Sequence, residues 1–460
     1  MKKLFLLLVA LVVSTGILYA QDKNQNCWEI IKQAGGHDVD LGYSITLDDA
    51  GNVFIVGRFS GTAYFDKDSI ISSGDYDAFL AKYDIKGNLV WVRHGGGIDD
   101  DRAYSVATDS KGNIYVGGII SNQAAFDKIK VSSAGASDAF LAKYDQNGTV
   151  QWVKRVGGSS DDEASGIAVD TYNNVYLTGF FKSTAQFGNF NLTSAGAKDA
   201  FICKFDIQGN VVWTEQISSK EDVESYTVAC DGAGNVFVVG DFKGTLHSDD
   251  FQMTTIGDFD IFLIKYDQNG NTMWAKQAGG KDYDDVFGVS VDNNGNSYMT
   301  GRFTDTVSFG GTYVHSVGNE DMFLTKYDPK GNVVWARTAG SRGTEIATEC
   351  AADANGNVYV TGIFQSTCNF DKYSVTSAGI NDIFVAKYDS NGNLTGLIRG
   401  GGKDIESAES IFLDKKGNVY ICGELKGNAV FGTKTLTSLG GYDIYWVKLS
   451  CIPLPTTKSK

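Results

Sequence analysis

Residues 112–118 read Gly112-Asn113-Ile114-Tyr115-Val116-Gly117-Gly118, and residues 51–57 read Gly51-Asn52-Val53-Phe54-Ile55-Val56-Gly57. The Asn of this segment recurs at Asn52, Asn113, Asn174, Asn235, Asn296, Asn357 and Asn418, always 61 residues apart. Two further landmarks keep that step: Lys82, Lys143, Lys204, Lys265, Lys326, Lys387 and Lys448, and Asp77, Asp138, Asp199, Asp260, Asp321, Asp382 and Asp443. Seven copies in register, with no insertion or deletion, make the chain an array of repeats. At 460 residues it is too long for one simple core, since single cores stop growing near ~250–300 residues. The 55 Gly and only 3 Pro fit a packed, turn-rich array and not a disordered linker.

Within one repeat, four segments read as strands: Tyr104–Thr108, Asn113–Gly118, Asp138–Tyr144 and Val150–Val153. They are rich in β-branched and aromatic residues, and no window keeps a 3.6-residue apolar period. Asp109-Ser110-Lys111-Gly112 and Asp145-Gln146-Asn147-Gly148 separate them in pairs. An Asp at the head of a turn can accept from its own following amides, and Gly takes the positive-φ position that closes it. Each repeat thus holds two tight hairpins. A link of about twenty residues, with a recurring Phe65, Phe126 and Phe187 and a recurring Gly74, Gly135 and Gly196, joins the second strand to the third. The closed arrangement expected for such an array is a seven-bladed β-propeller with four antiparallel strands per blade.

The chain ends carry the closure argument. Trp91, Trp152, Trp213, Trp274 and Trp335 mark the fourth strand, Gly396 stands in that place in the sixth copy, and the seventh stops near Ser450. Cys27-Trp28-Glu29-Ile30-Ile31 is the missing piece, so the N-terminal strand is expected to complete the last blade and close the ring. That pairing brings Cys27 near Cys451. A disulfide that fastens the ring is predicted there, against the alternative of two free thiols. Cys203, Cys230, Cys350 and Cys422 read as small buried residues within strands.

Residues 1–20 form a signal peptide: Lys2 and Lys3, an apolar run from Leu4 to Val13, and a small-residue exit at Ala20. The apolar run is too short for a comfortable span, so no integral membrane segment is expected after cleavage. The expected division is 1–20 signal peptide, 21–451 propeller and 452–460 short tail. Localisation is exported: periplasmic, outer-surface or secreted.

The stretch Gly356-Asn357-Val358-Tyr359-Val360-Thr361-Gly362, followed by Asp382-Ile383-Phe384-Val385-Ala386-Lys387-Tyr388-Asp389, resembles the beta-propeller (SBBP) repeat of bacterial exported proteins. The resemblance implies the fold and an extracellular setting. It brings no catalytic residues with it.

Residues present in every copy serve the repeat itself. Each strand-embedded Lys calls for a carboxylate, and the Asp ending the first strand (Asp48, Asp109 and their equivalents) is the expected partner. Function is sought where copies differ, on the face opposite the tight turns. Acidic loops gather there: Asp99-Asp100-Asp101 and Asp282-Tyr283-Asp284-Asp285 among them. The residue after each second-strand Gly also varies, and Arg58, Asp241, Arg302 and Glu424 are its charged members. These ten positions, Arg58, Asp99, Asp100, Asp101, Asp241, Asp282, Asp284, Asp285, Arg302 and Glu424, are the candidate ligand-binding set. Hard cations such as Ca²⁺ favour such oxygens, but no copy has a complete Asp-x-Asp-x-Asp-Gly loop, and a solvated acidic rim is the preferred reading. No cofactor is expected.

The formal net charge of −15 excludes a globally basic nucleic-acid binder. His37, His94, His247 and His315 have no metal-ligand spacing, and no nucleophile elbow, Walker loop or dinucleotide fingerprint is present. The expected function is an exported scaffold that binds an extracellular or surface protein, or a glycan, through the channel mouth. The alternative is a secreted carbohydrate-active hydrolase or lyase using rim Asp/Glu.

Overall fold

In the computed structural model the described residues are 27–455. The signal peptide expected at 1–20 and tail residues 456–460 lie outside them. All regular elements among the described residues are strands, and no helix is long and apolar enough to cross a membrane. The chain is an all-β propeller.

The first repeat sets the pattern. Its first strand, Leu41–Leu47, pairs with the second, Val53–Phe59, which pairs with the third, Asp77–Tyr83, and that with the fourth, Leu89–Gly96. Every first strand packs beside the first strand of the next repeat, and Ile405–Leu413 of the last packs beside Leu41–Leu47, so these strands encircle the axis. Both tight turns of a repeat lie on one face, because Val53 at the start of the second strand faces Tyr83 at the end of the third.

The turns form as the Asp-Gly spacing dictates. Asp109 Oδ1 accepts from the amides of Lys111 and Asn113 (both 2.9 Å), and Oδ2 accepts from the Asn113 side chain (2.6 Å). The Gly112 amide donates to the Asp109 carbonyl with Gly112 at φ 78°. Asp48, Asp170, Asp231, Asp292, Asp353 and Asp414 repeat this cage in the other copies.

The expected division into seven four-stranded blades is corrected by the hydrogen bonding. The strands fall into five large sheets of six to ten strands, one four-stranded sheet and one two-stranded ribbon. The cause is the link between second and third strands, which is a β-hairpin and not a loop. In the first repeat its arms are Thr62–Phe65 and Asp68–Ile71, and the first arm pairs with the end of the strand before it (Ala34↔Phe65, Gly35↔Tyr64). Sheets therefore run across repeat boundaries. In the second repeat the arms merge into the long strands Ile114–Phe126 and Ile129–Tyr144, which fuse the first two repeats into one ten-stranded sheet. The hairpins cover a strand edge that would otherwise present unpaired amides and carbonyls. The propeller rests on five large sheets, not on seven blades of four strands.

The recurring link Phe anchors this suture. Phe65, Phe126 and Phe187 are buried against Phe79, Phe140 and Phe201, with ring centroids 4.9–5.3 Å apart. Burial of one such ring stabilises by about 2–3 kcal/mol, with about 1 kcal/mol more from ring geometry.

At the ends, Trp28–Gly35 pairs antiparallel with Asp443–Leu449, and Cys27 is bonded to Cys451 with Cα atoms 5.0 Å apart. The tail then crosses the sixth copy: the Leu397 amide donates to the Pro453 carbonyl at 3.0 Å. A Cβ on Gly396 would sit 2.2 Å from the Ile452 carbonyl oxygen. That contact explains why Gly396 stands where other copies carry Trp: the tail occupies the space of the indole.

Candidate functional site at the channel mouth

One glycine in each repeat shapes the axial surface. A Cβ on Gly57 would lie 1.9 Å from the Leu41 carbonyl oxygen, and the same holds for Gly118, Gly179, Gly240 and Gly362 against their first strands. Opposite each such glycine the first strand carries a bulge, between Gly42 and Ser44 in the first copy and between Ser225 and Thr227 in the fourth. A bulge leaves one residue unpaired and re-aims its side chain. The unpaired residues are Tyr43, Tyr104, Ser165, Tyr226, Phe287, Thr348 and Glu409. Neighbouring rings meet around the axis, Tyr43 with Tyr104 at 5.4 Å and Tyr226 with Phe287 at 6.1 Å.

The charged residues after the second-strand glycines join this ring. On one side, Tyr226 Oη donates to Asp241 Oδ2 at 3.0 Å, and Arg302 Nε donates to Asp285 Oδ2 at 2.7 Å. Arg302 also reaches Glu320 at 2.9 Å. Burial pushes the Asp241 carboxyl well above the usual carboxylate range, and its hydrogen bond with Asp285 adds to the rise. Two adjoining carboxylates out of water disfavour a second charge, which is the physical cause of that rise. On the other side, Arg102 binds Asp100 through Nε at 2.9 Å and the Tyr104 hydroxyl through Nη1 at 2.9 Å. Arg58 Nη1 stands 3.7 Å from Asp100, with its guanidinium 4.2 Å over the Tyr76 ring. Burial, then the charge of Glu409, raises Glu424 in the same way, and burial raises Glu409 too. Glu163 is pushed up to about 7 by burial.

The ten sequence-selected residues are thus sorted. Arg58 and Asp100 meet, as do Asp241, Asp285 and Arg302, while Glu424 pairs with Glu409. Asp99 binds the Asn122 side chain at 2.7 Å, and Asp282 is exposed. Asp101 and Asp284 turn away from the mouth into the protein, both fully buried. Asp101 accepts from the amides of Gly97 and Ser121, and Asp284 from that of Gly280. The bulge residues escaped the sequence reading. Their signal is a variable residue between constant neighbours at every 61-residue step, which only a known strand pairing turns into an axial position.

The Lys series also finds other partners than expected. Lys82, Lys143, Lys204 and Lys326 donate to main-chain carbonyls in the following repeat, those of Gln146, Ile207, Gln268 and Ser390. Each also lies over an aromatic ring, Lys82 over Phe54 at 5.2 Å. Among the described residues only Lys265 comes within 4.0 Å of a first-strand Asp, with Asp231 at 3.7 Å.

With the geometry in view, the sequence relatives fall into place. The beta-propeller repeat (SBBP) profile matches residues 151–179 and 274–302. The chain carries SBBP repeats. Each match spans from about the fourth-strand Trp of one copy to about the second-strand Gly of the next, and so contains a bulged first strand. An uncharacterized WD repeat-containing protein of Acanthamoeba polyphaga mimivirus is 21% identical, covering 85% of this chain and 35% of the relative. The regulatory protein FlaEY of Caulobacter vibrioides is 25% identical, covering 63% of this chain and 33% of the relative. The chain spans about a third of the length of these curated relatives. Among solved structures, the WD40 domain of Neurospora crassa Pan2 overlays with a TM-score of 0.45 at 9% identity, covering 88% of each chain.

Proposed function

We propose that this propeller is an exported binding module that holds a polar ligand, a glycan or the surface of another extracellular protein, at the channel mouth. The observation that carries the reading is the bulge in every first strand. A constant scaffold turns a different side chain toward the axis in each copy, and Tyr, Arg and acid groups gather there in hydrogen-bonded clusters. Rigid aromatic rings beside fixed polar groups are the usual make-up of a recognition surface. The hydrolase alternative gains nothing from the two mouth acid pairs. Asp241–Asp285 and Glu409–Glu424 are in hydrogen-bond contact, closer than the ~5 Å that a retaining carboxylate pair needs around its substrate.

A glycan array probed with the secreted form of the chain, together with recovery of surface proteins that co-purify with it, tests the reading. Binding that Arg302→Ala and Tyr226→Ala weaken at least tenfold supports it. Binding untouched by those changes but lost on changing the tight turns overturns it.

A further inference from the structure

Arginine stands at the same place in the first and fifth copies, and its surroundings differ between them. In the fifth copy Arg302 lies opposite Asp285 in the strand register, and its Nε donates to that carboxylate at 2.7 Å. Glu320 meets the same guanidinium at 2.9 Å. In the first copy the residue opposite Arg58 is Leu41, whose side chain offers no acceptor. Arg58 Nε is withdrawn from solvent without a hydrogen-bond partner. Nη1 stands 3.7 Å from Asp100, beyond hydrogen-bond reach, and the side chain donates no hydrogen bond among the described residues. Arg58 is held instead by the Tyr76 ring, whose centroid lies 4.2 Å from the guanidinium carbon.

Asp100 does not answer both arginines. Arg102 takes both of its oxygens through Nε, at 2.9 Å each, and one of them again through Nη2. One carboxylate between two guanidiniums leaves a positive charge over. Glu424 lies within the field of Arg58, but burial, then the charge of Glu409, holds its carboxyl well above the usual carboxylate range, which disfavours the charge that would meet Arg58. The Arg58 and Arg102 side chains are 17% and 30% exposed, so a ligand in the mouth reaches them. A guanidinium without its own acid draws a carboxylate, which its planar fork fits with two parallel bonds. Beside the pair stand the bulge residues of the first two copies, Tyr43 and Tyr104. Their rings are 5.4 Å apart and inclined at 38°, both half-buried, and form one aromatic wall. Arg102 Nη1 donates to the Tyr104 hydroxyl at 2.9 Å, which ties that wall to the guanidiniums.

On the reading of the mouth as a binding surface, we propose that Arg58 and Arg102 bind the carboxylate of an acidic sugar, a hexuronate residue of a glycan, with the sugar ring laid against Tyr43 and Tyr104. The aromatic wall decides between the sources of the carboxylate. A pyranose ring presents a face of C–H groups that covers a tyrosine ring. An Asp or Glu side chain brings only one or two methylenes and leaves the wall wet. The net charge of −15 repels an acidic polymer at long range, but physiological salt screens that repulsion beyond ~8 Å and leaves the contacts at Arg58 to act.

The test is calorimetric titration of the purified protein with oligosaccharides of galacturonate, glucuronate and mannuronate, each beside its neutral counterpart, and with a hexaglutamate peptide. At least one uronate binds about tenfold more tightly than its neutral counterpart, as a charge-assisted hydrogen-bonded contact requires. Arg58→Gln removes that preference. Leu41→Asp gives Arg58 the in-register acid that Arg302 has, and it removes the preference while both arginines stay in place. Thermal unfolding of the two variants shows that the fold is kept, and either one alone suffices. No preference for any uronate overturns the proposal, as does a preference that both variants leave intact. Hexaglutamate bound in place of the sugars overturns it in favour of an acidic protein partner. A neutral glycan or a protein held through Arg302 and Tyr226, with no preference for uronate, overturns it while the binding-module reading stands.

Discussion

The two faces of the propeller are built by opposite rules. On the tight-turn face every copy repeats one cage, an Asp accepting from its own following amides and from an Asn side chain, closed by Gly or, in the third copy, Asn173 at positive φ; in four copies the Lys reaches the neighbouring turn. On the mouth face the backbone is just as constant, but the side chains are not. Tyr43, Ser165, Phe287 and Glu409 occupy one structural position, and Arg58, Phe180, Asp241 and Glu424 another. Repetition marks residues that hold the ring; variation at a fixed position marks residues free to recognise something.

Changes on the tight-turn face should therefore unfold the molecule, and changes at the mouth should leave it standing. The largest effect is expected at the Cys27–Cys451 bond, beside the last tight turn. Reduction, or Cys27→Ser, should lower stability by about 4 kcal/mol, read as the midpoint of denaturant unfolding with and without reductant. Next comes pH. Burial raises Asp101 and Glu406 to about 7 and Asp162 to about 6. Their folded values exceed the unfolded ones near 4, so their contribution is complete below pH 4 and disappears as pH rises through 6 to 7. The melting temperature at fixed ionic strength should fall by about 5 °C between pH 5.5 and 8. A flat profile breaks the assignment of these acids as protonated.

Smaller steps sharpen the contrast. Asp109→Ala strips two amides, the Asn113 side chain and the Tyr115 hydroxyl of their acceptor, and should cost about 2 kcal/mol in urea unfolding. Lys82→Met loses the bond to the Gln146 carbonyl and the approach to Phe54, about 1 kcal/mol. Asp282→Asn, exposed at the mouth, should leave the melting temperature within about 1 °C while altering ligand binding. A turn variant no more harmful than this one would erase the distinction between the faces.

Much of the architecture could be read before any coordinates. The 61-residue step announces the repeat, the Asp-Gly turns predict their hairpins, and the absence of a fourth strand in the last copy points to Trp28–Gly35. The sheet count was not legible. A link of about twenty residues without strong alternation reads as a loop, and nothing local reveals that Thr62–Phe65 pairs with Ala34 and Gly35. The acidic segments misled for a related reason. Asp100 and Asp101 are neighbours in sequence, yet one faces Arg58 and Arg102 at the mouth while the other is enclosed with Asp77. The turn that leads into the strand Arg102–Thr108 sends these adjacent side chains to different surroundings, and composition cannot say which of them is wet.

The sequence by itself determined the repeat, the all-β propeller class and the turn chemistry, because these rest on contacts within about twenty residues. The tertiary structure alone decided how the sheets divide, that the Ile452–Pro453 tail replaces an indole at Gly396, where the lysines point, and which acids lose water. Those outcomes depend on segments far apart in the chain, and on burial, which sets the charge of a carboxylate only once its neighbours are in place.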